Sequence, residues 1–165
     1  MAKPLTTDHP PYFSKYIDLI AEEDVQKAFD AQQLQLASML NELPEAKADY
    51  AYADGKWTVK QLLQHIIDTE RIFAYRALWI ARQANVPLPG FDENAFEEVA
   101  DVSNRSLQDL KNEFISVRSS SHFLFSSFSA DDLKRRGISN TKEITVNAIG
   151  FITLGHLIHH YNVLK

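Results

Sequence analysis

Three of the chain's six histidines, His156, His159 and His160, fall together in "TLGHLIHHYNVL". Imidazoles ligate metals, move protons or simply pack, and spacing helps to separate these roles. A helix turns about 100° per residue. His156 and His160, four apart, therefore stack on one face, within roughly 80° of Ile149, Ile152 and Val163. Two imidazoles at that spacing can reach one metal ion. His159 lies roughly 60° from His156, at the edge of the stripe, and is the weakest ligand of the three. A lone buried histidine is ordinarily a neutral, hydrogen-bonded side chain. A stacked pair must satisfy two ring nitrogens on each residue, and a shared metal satisfies one on each. A metal site still needs a third ligand.

A candidate stands in "LLQHIIDTERIF". His65 lies about 90° from the centre of the stripe formed by Val59, Leu62, Ile66, Phe73, Ala77 and Ile80. From that flank it either faces a neighbouring helix across a cleft or points to solvent. Asp68 and Thr69 sit one turn on, at similar azimuth. Two charges fall on inward faces, Glu70 on this helix and Arg118 on the next long one. A buried carboxylate has to be paired, metal-bound or protonated. The expectation is an interior Glu70–Arg118 ion pair, structural or placed behind the metal ligands. The alternative makes Glu70 a catalytic base.

Other chemistries find little support. His9 precedes two prolines, and His122 lies roughly 100° off its helix's apolar centre. The serines of "SVRSSSHFLFSSFS" lack a glycine-framed nucleophile turn. "PLPGFDEN" lacks the alternating oxygen ligands of a calcium loop, and no phosphate-binding glycine loop occurs. With no cysteine there is no thiolate ligand and no cysteine nucleophile. Any metal must be held by His, Asp or Glu.

The elements that position these residues read as helices. Four long segments carry helical periodicity, and strand-like alternation is absent. The first runs from Glu22 to Leu43, where Pro44 follows, with Val25, Phe29, Leu36, Leu40 and Leu43 inward. The second begins after Thr58, an N-cap whose capping box is completed by Gln61, and ends before "NVPLPG". The third runs from about Ser103 to Phe128, with Leu107, Leu110, Phe114, Val117, Ser121, Phe125 and Phe128 on one face. The fourth starts near Thr145 and carries the histidines. "HPPYFSKYIDLI" and "ENAFEEVA" add short helices. The connection between the second and third helices is nearly twenty residues, long enough to cover a site. The fold expected is an all-α four-helix bundle in a single domain spanning residues 1–165.

Composition agrees. The chain has 165 residues, 45% hydrophobic and 24% charged, with formal net charge −5. No clustered Lys/Arg run offers a grip on nucleic acid. No apolar run is long enough for a membrane span, and the N-terminus lacks a signal-peptide core. A cytoplasmic setting is expected, with neither nucleic acid nor membrane as partner.

"WTVKQLLQHIIDTERIFAYRAL" resembles the first-histidine helix of the DinB-like (DinB/YfiT-like) metalloenzyme superfamily, and "NAIGFITLGHLIHHYNVL" resembles its last helix. The resemblance spans nearly the whole chain, including the "PLPGFDEN" connection. It implies an up-down-down-up bundle with a three-histidine divalent metal site, whose ligands would be His65, His156 and His160. His159 fills a position that is commonly histidine in the family without being the usual ligand. Nickel or zinc is the metal implied first, then iron or manganese. Members include thiol-dependent S-transferases and a maleylpyruvate-isomerase branch, and many are dimers. A homodimer, a small-molecule substrate and a low-molecular-weight thiol cosubstrate are thus implied. The chain departs from the pattern by stopping at Lys165, five residues after His160. Similar members often continue the last helix by a turn or more, so a looser end to the site is expected.

Three neutral imidazoles leave a divalent ion its full charge and open positions, from which it acidifies bound water or thiol or polarises a carbonyl. The expected function is hydrolysis or thiol S-transfer on a small molecule. The alternative is a non-catalytic metal- or ligand-binding bundle. Pocket residues are expected from the long second connection, Phe91 and Asp92 among them, and from the inward face of the first helix.

Overall fold

The structure, a computed structural model, describes residues 1–51, 53–83 and 86–164, with the backbone alone at Gln83 and Leu164. Ala84 and Asn85 of the long connection lie outside the described residues, as does Lys165, on which the expectation of a shortened last helix rests. Four long helices make the frame: α2 (Val25–Asn41), α3 (Val59–Gln83), α5 (Leu107–Ser126) and α7 (Val146–Leu164). Three short ones join them: α1 (Ser14–Ile17), α4 (Glu93–Val99) and α6 (Ala130–Lys134). Among the described residues no helix is long and apolar enough to cross a membrane.

Helix starts follow local chemistry. Asp24 caps α2 by accepting from the backbone N–H of Gln26 and Lys27, which sets the start three residues inside Glu22. Thr58 and Gln61 form the reciprocal box: Gln61 N–H donates to Thr58 Oγ1 at 3.2 Å, and Thr58 N–H to Gln61 Oε1 at 2.9 Å. Ser106 caps α5, so that helix starts beyond Ser103. Thr145 Oγ1 accepts from Ala148 N–H at the head of α7.

Cross-helix contacts fix the directions. Gln26 of α2 donates to Phe125 and Phe128, at the far end of α5. Gln32 donates to Leu154, and Tyr161 to Glu42, so α2 and α7 run parallel. Gln64 meets Arg105, and Arg71 meets Glu113, so α3 and α5 run parallel. His65 meets both His156 and His160, while Phe73, two turns on, meets His156, one turn back along α7 from His160; α3 and α7 are antiparallel. The order is up-down-down-up, with α3 diagonal to α2 and packed on both α5 and α7.

The core splits in two. One apolar cluster centres on Phe29, Phe73, Phe125 and Phe151. The other centres on Leu36, Leu63, Phe114 and Leu157. Between them each long helix contributes buried polar groups: Gln32 from α2, Thr69 and Glu70 from α3, Arg118 and Ser121 from α5, His156 from α7. His156 sits in this polar layer, and His65 and His160 lie along the second cluster beside it.

Two expectations are corrected. Strands were not expected, yet "RGIS" and "KEIT" form an antiparallel hairpin, β1 (Arg136–Ser139) and β2 (Lys142–Thr145). Its two-residue turn holds Asn140 at φ 49° and Thr141 at φ 63°, the left-handed pair that matches strand twist. Four-residue strands carry too little alternation to stand out beside helices. Val163, placed on the buried stripe by periodicity, is exposed.

Candidate metal centre

α3 supplies His65, and α7 supplies His156 and His160. Because the two helices are antiparallel neighbours, one turn of α7 faces one position of α3. His65 Nε2 lies 3.2 Å from His156 Nε2, and His160 Nε2 lies 3.0 Å from the same atom. Ligand atoms of all three residues fall within 4.8 Å of one another. Donors set at the usual ~2.0–2.1 Å around a tetrahedral ion stand roughly 3.3 Å apart.

The donor chemistry fits a cation better than a hydrogen-bond network. A neutral imidazole nitrogen carries either one hydrogen or one lone pair. His156 Nε2 faces two other Nε2 atoms and can satisfy only one of them. A single cation accepts all three lone pairs. Burial keeps those lone pairs available by disfavouring the charged ring. It pushes His65 down to about 4. It pushes His160 down to about 3, with help from His65, His159 and Lys15. Burial holds His156 well below the ordinary histidine range, helped by His160 and His65. Thr69 Oγ1 stands 3.5 Å from His65 Nδ1, on the side away from the trio, where it can accept the ring N–H.

The remaining histidines do other things. His159 is half-buried and edge-on to Tyr16 and to His160. His122 reaches Asp30 of α2 at 2.7 Å. His9 is buried, with Nδ1 2.9 Å from the Pro10 carbonyl. Glu70 and Arg118 are brought together as a bidentate pair, one residue along from Thr69.

A cavity of about 420 Å³ opens beside His156. Tyr12, Phe13, Tyr16, Phe73 and Phe91 give it aromatic walls, and Thr69, Arg76, Ser139 and Lys142 add polar groups. Phe91 thus lines it, from the long connection. Asp92 is not among its lining residues: its carboxylate accepts from Asn94 and Ala95 N–H and caps α4. The inward face of α2 is also absent, because α2 lies diagonal to α3 and spends that face on α5 and α7. The segment before α2 takes its place. Tyr16 packs edge-on against His156 at 5.5 Å, and burial and its contact with Tyr12 raise the phenol, keeping it protonated. Neither this segment, expected as a short helix, nor Arg76 nor the hairpin was expected at the cavity. Only Arg76 left a signal, as a cation three residues after Phe73 on the apolar flank of α3. A second cavity, about 330 Å³, lies on the other side of the trio, lined by Lys56, Trp57, Asn94, His159 and His160.

The architecture recurs in solved structures. YfiT from Bacillus subtilis, described as a probable metal-dependent hydrolase with an unusual four-helix bundle topology, superposes with TM-score 0.71 at 19% identity, over 96% of this chain and 87% of that one. A DinB-like protein from the same organism, YjoA, superposes with TM-score 0.57 at 15% identity, over 85% and 86%. No curated protein sequence matches the chain. The sequence model of the DinB superfamily matches residues 28–164, from the first long helix through the histidine-bearing last one, and the chain belongs to that superfamily.

Proposed function

We propose that this chain is a divalent-metal-dependent hydrolase of a small molecule, with His65, His156 and His160 as the metal ligands. The observation that carries the reading is the convergence of three neutral imidazole nitrogens from two helices beside a cavity of about 420 Å³. The likeness to YfiT, itself described as a probable metal-dependent hydrolase, supports it. Nickel or zinc suits the all-nitrogen donor set first, with iron or manganese next. Held there, the ion would supply Lewis-acid chemistry, drawing the pKa of water or a thiol toward neutrality. The chain's own residues do the rest. Thr69 fixes the His65 ring, the Glu70–Arg118 pair ties α3 to α5 behind it, and the aromatic walls exclude bulk water and orient an apolar substrate.

Thiol S-transfer is the second reading, and the second cavity supports it. Lying on the His160 side, it gives a low-molecular-weight thiol its own approach to the trio. The proposal extends to a cytoplasmic homodimer, whose mass sedimentation velocity reads directly.

The test is metal content of untagged protein by mass spectrometry. About one ion per chain is expected, and its loss in His65→Ala and in His156→Ala. Stoichiometric metal surviving both substitutions would sink the site. Assays of metal-loaded protein on esters and amides, with and without added thiols, then separate hydrolysis from transfer. A metal-loaded protein inert in both would leave a binding bundle.

A further inference from the structure

Arg76 is a buried cation that, among the described residues, has no carboxylate within salt-bridge distance. It is 8% exposed, and burial lowers its affinity for the proton. Its Nη2 donates to the Pro89 carbonyl at 3.0 Å, and its guanidinium lies 5.4 Å from the centre of the Phe91 ring. A guanidinium has five N–H donors. Among the described residues one hydrogen bond from its side chain is seen, and Arg76 lines the cavity.

A buried hydroxyl without a partner sits at the same end. Ser139 is 8% exposed and lines the same cavity, and its Oγ has no hydrogen-bond partner. The connection and the hairpin bring the two together. Leu88 bridges to Ser139, taking Asn140 N–H and giving its own N–H to Ile138. The next residue, Pro89, is the one Arg76 holds. A buried hydroxyl left unpaired is costly, and a ligand that pairs it recovers that cost.

We propose that Arg76 and Ser139 form an anion subsite that selects the substrate: they receive the carboxylate of a small monoanionic acid whose apolar body lies along Phe73 and Phe91 toward His156. Charge favours a monoanion over a phosphate dianion, since the other lining charges, Lys142 and Glu93, are exposed and opposite in sign. Thr69, Phe73 and Arg76 share one face of α3, and the rise from Thr69 to Arg76 is about 10 Å. The acid end is therefore held well away from the bond that reacts. This deepens the hydrolase reading by naming its substrate class, but the subsite itself contains none of the proposed metal ligands.

The experiment titrates the full chain with 4-phenylbutanoate and with its primary amide by calorimetry, as purified and after EDTA treatment. The acid is expected to bind at least tenfold more tightly than the amide in both states. Arg76→Gln removes that preference, Arg76→Lys keeps part of it, and Ser139→Ala weakens acid binding a few-fold. Equal binding of acid and amide, no binding of either at millimolar concentration, or a preference that survives Arg76→Gln overturns the subsite. A preference lost with EDTA assigns the carboxylate to the metal and overturns it as well. The acid–amide comparison needs no variant, so a poorly folded Arg76→Gln leaves the test intact. Should untagged protein hold no metal while the preference still depends on Arg76, the metal reading fails and the subsite stands.

Discussion

Arg118 donates through Nε and Nη2 to the two carboxylate oxygens of Glu70, at 2.8 and 2.7 Å, across the contact between α3 and α5. The side chains are 0% and 2% exposed, and Phe29 and Phe114 flank the guanidinium. Removing one partner of a buried pair leaves the other charge uncompensated, at about 3–5 kcal/mol. Glu70→Ala should lose that much in urea denaturation. The double replacement Glu70→Leu with Arg118→Met should lose less than Glu70→Ala alone. A double variant worse than the single would show that the pair is worth more than its burial costs.

The three clustered histidines should separate by function. His160→Ala should lose bound metal, whereas His159→Ala, whose ring packs on Tyr16, should keep it. A metal bound only by the folded state stabilises by RT ln(1 + [L]/Kd), about 4 kcal/mol at a thousandfold excess over Kd. EDTA should accordingly lower the melting temperature of wild type and of His159→Ala but leave His160→Ala unmoved. Equal EDTA shifts in all three proteins would contradict the assignment.

Gly155, the residue before His156, lets the chain around Tyr16 approach α7 closely. A Cβ there would lie 2.0 Å from the Tyr16 carbonyl oxygen, a backbone atom that no rotamer change can clear. Gly155→Ala should push this segment off the helix, destabilise by about 1–3 kcal/mol, and open the cavity that Tyr16 walls. Thermal denaturation reads the first effect. Faster quenching of tyrosine fluorescence by acrylamide reads the second.

Glu97 on α4 should give a pH signature. Burial pushes its carboxyl up to about 7, with Asp68 adding to the rise and a hydrogen bond from Gln61 opposing it. The folded state then binds more protons than the unfolded one from the ordinary 4.5 up to 7. The contribution of this group to stability is fully present below that window and falls as pH rises through it. Glu97→Gln should therefore gain stability relative to wild type between pH 5 and pH 8. Denaturation midpoints for both proteins, compared at the two pH values, decide it. A constant difference would mean that Glu97 titrates alike in both states.

Much of this protein was determined by its sequence because helices carry their own record. The Thr58–Gln61 box, the apolar stripes and the four-residue step from His156 to His160 are all local relations, set by 3.6 residues per turn. Periodicity could also set Glu70 and Arg118 on inward faces, since a charge on an apolar stripe is visible without knowing the neighbouring helix. It could not choose the helix that His65 faces. That choice depends on α3 running antiparallel to α7, a matter of packing between segments some ninety residues apart. The cavity was still less legible. It is walled by Tyr16 from before the bundle, Arg76 from its flank and Ser139 from a hairpin of four-residue strands, and nothing in their spacing ties them together. Only the tertiary structure brings Leu88 against Ser139 and Pro89 against Arg76. The sequence alone thus put His156 and His160 on one helix face, because spacing on a helix is local. The surroundings that a metal would act on were decided by the packing of distant segments.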